Sequence, residues 1–176
     1  CGIDEMTVTP NTFTCDNVGA NMVTLTVSDI SGNVSTCNAL VTVEDVTPPM
    51  ALCQNITVSL DASGFVNITA AQVDNGSSDN CGIATMTVAP DAFTCSNLGQ
   101  NTVTLTVTDV YGNVSTCTAV VTIQDATPPV AVCQDITITL DATGNASITA
   151  SQINNGSSDA CGISTITVAP DAFTCA

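Results

Sequence analysis

The chain has no lysine, no arginine and no histidine among its 176 residues, so every charged side chain is acidic and the formal net charge at pH 7 is -16. Each absence removes a class of chemistry. Without histidine there is no side chain whose unperturbed pKa lies near neutrality. Without lysine and arginine there is no P-loop lysine, Schiff-base lysine, arginine finger or phosphate clamp. Neutralising nucleic-acid phosphates depends on the same two residues, as does recognition of anionic membrane surfaces, so neither nucleic acid nor direct membrane insertion is expected. No apolar run approaches the roughly 18 to 20 residues of a membrane helix. Aromatic residues make up only 3% of the chain, which leaves few large side chains to fill a core or stack on a sugar.

What is present points to strands. Hydrophobic residues account for 44%, and they are mostly Val, Ile and Ala interleaved with Thr, the composition of half-buried β-strands. The fold class expected is all-β. Ten cysteines without a histidine argue for disulfides rather than zinc, and therefore for a secreted or cell-surface location.

Self-comparison sets the organisation. Residues 1–80 align without a gap on 81–160, with about 50 of the 80 positions identical, and 161–176 begin a third copy. Cys1-Gly2-Ile3 recurs at 81 and 161, Phe13-Thr14-Cys15 at 93 and 173, and Thr47-Pro48-Pro49 at 127. Pro-Pro offers no backbone N–H and restricts the residue before it, so it suits a stiff joint rather than a central strand. On that frame residues 46–125 are one complete repeat, 1–45 the back part of another and 126–176 the front part of a third. The chain reads as a window from a longer tandem array. Within the complete repeat, strands are predicted over 51–60, 65–73, 83–89, 102–108 and 114–123, with turns at 61–64 and 109–113 and an irregular stretch or short strands over 90–99. About six or seven strands in 80 residues suggest an immunoglobulin-like β-sandwich.

Asp45-Val46-Thr47-Pro48-Pro49, then the strand cysteine Cys53, then Ser78-Asp79-Asn80-Cys81-Gly82, then Val107-Thr108-Asp109-Val110-Tyr111-Gly112-Asn113-Val114-Ser115-Thr116-Cys117 together resemble the hyalin-type (HYR-like) repeat. The additional Phe-Thr-Cys and the near-identical copies are most similar to repeats of SprB-type gliding-motility adhesins and related giant bacterial surface proteins. The resemblance spans the chain. It implies tandem Ig-like domains in an extracellular adhesin or filament stalk, and it carries over no catalytic residue.

Each full period holds four cysteines, which allow three connectivities. In a sandwich the first and last strands can lie side by side, so the expected pairs are Cys53 with Cys117 and, as a short loop, Cys81 with Cys95. The same rule pairs Cys1 with Cys15 and Cys161 with Cys175, and leaves Cys37 and Cys133 without partners. A domain of about 80 residues buries little surface, and loop closure is worth roughly 4 kcal/mol for the long bridge and about 3 for the short one.

Acidic residues gather in loops. Asp45 in the entering linker, Asp74 and Asp79 in one loop and Asp109 in another lie, on a sandwich, at the same end, and hard oxygen ligands are what Ca²⁺ takes. These four are the candidate ligand set at one joint, with Asp125 and Asp159, together with Asn154, at the next. The competing reading is that Asp and Asn in turns bond their own backbone, and no EF-hand glutamate closes the loop.

Other signals carry less. Asn-x-Ser/Thr sequons at Asn33, Asn55, Asn67, Asn75, Asn113, Asn145 and Asn155 are expected by chance in a chain this rich in those residues. The threonines at 102, 104, 106 and 108 read as the wet face of a strand rather than an ice-binding array. Nothing singles out a carboxylate pair for glycoside hydrolysis, and no enzyme activity is expected. The expected function is a structural or adhesive stalk whose partners are neighbouring repeats of the same chain. The alternatives are a glycan- or protein-binding repeat module and a self-assembling filament subunit.

Overall fold

A computed structural model describes residues 2–174 of the chain. It is mostly β, as expected. In chain order the strands are β1 (Ile3–Thr9), β2 (Gly19–Asp29), β3 (Val34–Val43), β4 (Ile56–Ser59), β5 (Phe65–Asn67), β6 (Ile83–Ala89), β7 (Ala92–Thr94), β8 (Gly99–Asp109), β9 (Val114–Gln124), β10 (Asn145–Ser147) and β11 (Ala172–Thr174). Two single-turn helices, α1 (Ala70–Val73) and α2 (Ala150–Ile153), and 3₁₀ turns at Cys15–Asn17 and Cys95–Asn97 complete the elements. The described residues divide into two compact units. One groups the residues through Cys53 with Asp74–Thr87 and Leu105–Cys117; the other groups Gln54–Val73, Val88–Thr104 and the residues from Thr118 on.

In the first unit β1, β2 and β3 form an antiparallel sheet in that order. The β2–β3 hairpin closes on Asp29, whose Oδ1 accepts bonds from the backbone N–H of Ser31 and Asn33 while Oδ2 accepts from Asn33 Nδ2. Gly32 supplies the positive φ that the turn requires. The same sequence one period later, Asp109 to Asn113, closes the β8–β9 hairpin with the same bonds. Asp-x-x-Gly-Asn is thus a self-sufficient turn in which the aspartate replaces missing backbone partners. Short antiparallel bridges join Met50 to Ser78 and Cys53 to Asp74.

In the second unit β4 runs parallel to β9, with Ile56 opposite Val121 and Val58 opposite Ile123. Strand β5 pairs with β7, placing Val66 opposite Phe93, and β10 pairs with β11 through the equivalent residues Ala146 and Phe173. The sheet containing β4 has the order β4-β9-β8-β6. Along β8, whose residues to Thr104 belong to the second unit and those from Leu105 to the first, the alternation is strict: Val103, Leu105, Val107 and Asp109 are buried, and the intervening threonines are half-exposed. Val121 and Ile123 of β9, Phe93 of β7 and Val73 of α1, all of the second unit, are buried as well. Each such side chain stabilises the fold by roughly 1.5–3 kcal/mol through the area it removes from water. Residues 136–139, the counterparts of β4, form no strand, and Ile136, Ile138 and Leu140 remain partly exposed.

Two expected strands are shorter than their sequence suggested. Of 51–60, only Ile56–Ser59 pairs continuously. Of 65–73, β5 takes Phe65–Asn67 and α1 takes Ala70–Val73, because Thr69 and Gln72 cap a helical turn: the Gln72 Oε1 accepts from the Thr69 backbone N–H at 2.7 Å. Thr149 and Gln152 repeat this capping box at α2. Thr-x-x-Gln is a helix-start signature that the apolar pattern had masked.

Candidate metal centre

Three of the four proposed ligands at the first joint meet. Each of Asp45, Asp79 and Asp109 presents a carboxylate oxygen, and these oxygens lie within 4.8 Å of one another. The positioning comes from backbone bonds made by the other oxygen of each group or by its neighbours. Asp45 Oδ1 accepts from the Thr47 N–H just before Pro48-Pro49, and the Asp45 carbonyl accepts from Asn113 Nδ2, which ties the linker to the β8–β9 turn. Asp79 Oδ1 accepts from the N–H groups of Cys81 and Gly82. Asp109 is 1% exposed and forms the turn described above.

The two remaining oxygens have no such partners. Asp45 Oδ2 and Asp79 Oδ2 are buried and make no hydrogen bond. A buried acceptor left bare costs about 1–3 kcal/mol, and more when charged. Like charges about 5 Å apart add roughly 3 kcal/mol of repulsion per pair at an effective dielectric of 20. With no cationic side chain in the sequence, relief must come from protons or from a bound cation.

The donor set fits a hard cation. All ligand atoms are oxygens, and oxygens on opposite sides of a Ca²⁺ ion are about 4.6–5.2 Å apart when each lies 2.3–2.6 Å from the metal. Burial raises the Asp109 carboxyl, but the side-chain and backbone hydrogen bonds from Asn113 and those from Tyr111 and Gly112 outweigh it and hold the group below its ordinary value. Asp109 is therefore ionised and ready to bind metal at neutral pH.

Asp74 is not in the group. Its carboxylate accepts from the N–H groups of Gly76 and Ser77, and the Ser77 hydroxyl is the first reason its carboxyl sits below the usual range. It caps its own loop, as Asn154 does through Ser157 N–H. Asp125 and Asp159 come together with Cys161, but that sulfur is bonded to Cys95 and offers no thiolate. Two carboxylates remain at this second position.

The disulfides depart from the expected scheme in a systematic way. Cys53 bonds Cys117 as anticipated, but Cys15 bonds Cys81 and Cys95 bonds Cys161, each pair 66 residues apart. The short Cys81–Cys95 loop does not form. Strand β6 lies between the two residues and carries the chain about 23 Å at 3.3 Å per residue, and the next segment, Ala92–Thr94, pairs with β5. The expected Cys1–Cys15 and Cys161–Cys175 pairs are displaced for the same reason, since Cys15 and Cys161 are taken; Cys1 and Cys175 themselves lie outside the described residues. Cys37 and Cys133 are unpaired and exposed. The three disulfides among the described residues belong to an oxidising environment.

Each cross-copy bond anchors further contacts. The Tyr111 hydroxyl donates to the Cys15 carbonyl at 2.7 Å. Gly64 sits so close to the Cys95 sulfur that a Cβ added there would lie 2.8 Å from it and 3.3 Å from Ala160 Cβ. None of these was legible in the motifs; the signal available was the strand propensity between Cys81 and Cys95. No protein-family model matches the chain, and no curated protein matches it.

Proposed function

We propose that the chain is a load-bearing stalk segment of a secreted or cell-surface protein, built from tandem Ig-like repeats of the hyalin type and stiffened at its joints by Ca²⁺. On this reading residues 46–125 are a whole repeat, and 1–45 and 126–176 are parts of its neighbours. One observation carries the proposal: at the Pro-Pro joint, a cross-copy disulfide and three converging carboxylates hold the same short segment. A joint held this way transmits orientation from one repeat to the next. The function is then mechanical reach, which projects a binding region away from its anchor.

Calcium at Asp45, Asp79 and Asp109 supplies the missing positive charge, and the ion links linker, loop and hairpin. The test is metal analysis of the purified chain, with thermal melting in Ca²⁺ and in EGTA. Bound Ca²⁺ and a lower Tm in EGTA are expected, because a ligand that binds only the folded state stabilises it by RT ln(1 + [L]/Kd). Absence of metal together with superimposable melts would discard the calcium part of the reading.

A second reading, self-assembly into filaments, rests on Cys37, Cys133 and the exposed apolar residues Met22, Leu40, Ile136 and Leu140. In the repeat frame Cys37, Cys133 and Leu140 correspond to Cys117 and Cys53, which are bonded to each other, and to Leu60, which is buried. A Cys37–Cys133 link between chains, seen as a ladder of oligomers on non-reducing gels, would favour assembly; monomers would favour the stalk.

A further inference from the structure

We infer that the three disulfides form an overlapping ladder that makes the oxidised chain nearly inextensible: once the domains yield, tension runs from sulfur to sulfur, and most of the polypeptide never bears it. The mechanical role rests on the stalk reading above; the ladder itself rests on connectivity alone. In sequence order the bonded residues are 15, 53, 81, 95, 117 and 161, and the bonds are 15–81, 53–117 and 95–161. Each loop begins before the previous one closes. A force entering at Cys15 crosses to Cys81, follows the backbone to Cys95 and crosses to Cys161. The only polypeptide on that path between Cys15 and Cys161 is the 14-residue step from 81 to 95, which contains β6 and β7.

The lengths decide how strong the effect is. Fully extended chain spans at most about 3.3–3.6 Å per residue. Fourteen residues plus one disulfide, whose Cα atoms are 5.2–5.3 Å apart, therefore reach about 55 Å per repeat, even with every strand unfolded. The same repeat with its disulfides opened reaches about 280 Å over its 80 residues. The ladder thus caps extension roughly five-fold below the length of the free polypeptide. A stalk without such bonds dissipates load by unfolding one domain after another and lengthening; this one holds its length and passes load on.

Bond 53–117 contributes nothing to the cap while the cross-copy bonds stand, because the 15–81–95–161 path is already shorter. That gives a sharp test. The full chain is pulled by its two ends in a single-molecule instrument, with Cys1, Cys37, Cys133 and Cys175 replaced by serine so that only the three bonds form. Oxidised, its maximum length should be about 160 Å, and with dithiothreitol about 600 Å. Adding Cys53→Ser and Cys117→Ser should leave the oxidised length at about 160 Å. Pairing within copies, Cys81 with Cys95, predicts instead about 380 Å before those two substitutions and over about 500 Å after them; either length overturns the ladder. Should the substituted chains fail to fold, peptic mapping of the unreduced native chain decides the matter, since the ladder requires a peptide pair containing Cys15 with Cys81 and another containing Cys95 with Cys161. Finding Cys81 joined to Cys95 would refute it. The calcium experiment is independent: a chain capped near 160 Å that ignores EGTA keeps the ladder and loses the calcium-stiffened joint.

Discussion

Asp79 divides its carboxylate between two tasks: one oxygen receives the N–H groups of Cys81 and Gly82, and the other is buried with no partner beside Asp45 and Asp109. Asn at this position keeps an acceptor for the loop and removes the charge. Asp79→Asn should therefore weaken Ca²⁺ binding by at least about tenfold, since affinity follows the count of charged oxygen ligands. It should also leave the metal-free Tm unchanged or higher, because repulsion is relieved. Calorimetric titration with Ca²⁺ and melting in EGTA measure both; a lower metal-free Tm with unchanged affinity would make Asp79 a loop cap only. Asp45, Asp79 and Asp109 were legible in the sequence as loop acids brought to one end. Asp74 carries the same sequence signal but caps its own loop, because a turn aspartate satisfying its neighbours looks identical in sequence to one aimed outward. Gly64 had no sequence signal beyond its turn, yet it touches the Cys95–Cys161 bond. Gly64→Ala sets a Cβ 2.8 Å from a sulfur that the bond holds in place, at a φ of 75. Strain and overpacking together should cost about 2–4 kcal/mol. Gly76→Ala, at a φ of 85 but in open space, isolates the backbone part at about 1 kcal/mol. Equal Tm losses for the two variants would show that the sulfur contact is immaterial.

Turns and strands follow from patterns of two to five residues, and this is where the sequence was most informative. The Thr-Val-Thr-Leu-Thr-Val-Thr alternation became β8 with its apolar set inward, and 83–89 is β6 to the residue. Strand length departs from the apolar pattern where a local polar pair intervenes, as Thr69 and Gln72 do by starting a helical turn after β5. The Asp-x-x-Gly-Asn and Asp-x-x-Gly turns also set the acid response. Side-chain bonds lead the causes that hold the carboxyls of Asp29 (from Asn33) and Asp61 (from Ser63) below the ordinary value, and at Asp141 the Asn145 backbone N–H leads. A carboxyl depressed in the folded state contributes stability that is complete above its unfolded pKa and is lost as pH falls through the folded one. The Tm should thus be flat near neutrality and fall below about pH 4. Asp61→Asn, which cannot ionise, should lower the plateau and flatten the fall. A Tm that rises on acidification to pH 3 would mean that relief of repulsion among the carboxylates outweighs the turns.

Across the whole molecule the 80-residue period was plain in the sequence, but the linkage between periods was not. Cys53 bonds a partner 64 residues on that falls inside the expected repeat 46–125, and Cys15 bonds one 66 residues on that falls outside its own expected segment, 1–45. Spacing alone does not separate these cases; the strand between Cys81 and Cys95 does, by holding its ends apart. The overlap of the loops bears on resistance to proteolysis. Every peptide bond between Cys15 and Cys161 lies inside at least one disulfide loop: those from 53 to 81 and from 95 to 117 lie inside two, and those from 81 to 95 only inside the 53–117 loop. A single backbone cut in this range therefore leaves the chain covalently whole. Trypsin has no site, for want of lysine and arginine, so the relevant enzymes cut beside acids or apolar residues. After limited digestion by an Asp-specific protease, to about one cut per chain, the band between these limits should stay at full length on a non-reducing gel and break into fragments only with reductant. Asp91 is exposed and sits in the singly protected stretch. Cleavage there should separate the chain without reductant in the Cys53→Ser, Cys117→Ser variant and not in the native protein. Fragments released from the native chain by one cut at Asp91 would show that the loops do not overlap. Bond 53–117 is the one that keeps a chain cut between Cys81 and Cys95 in one piece.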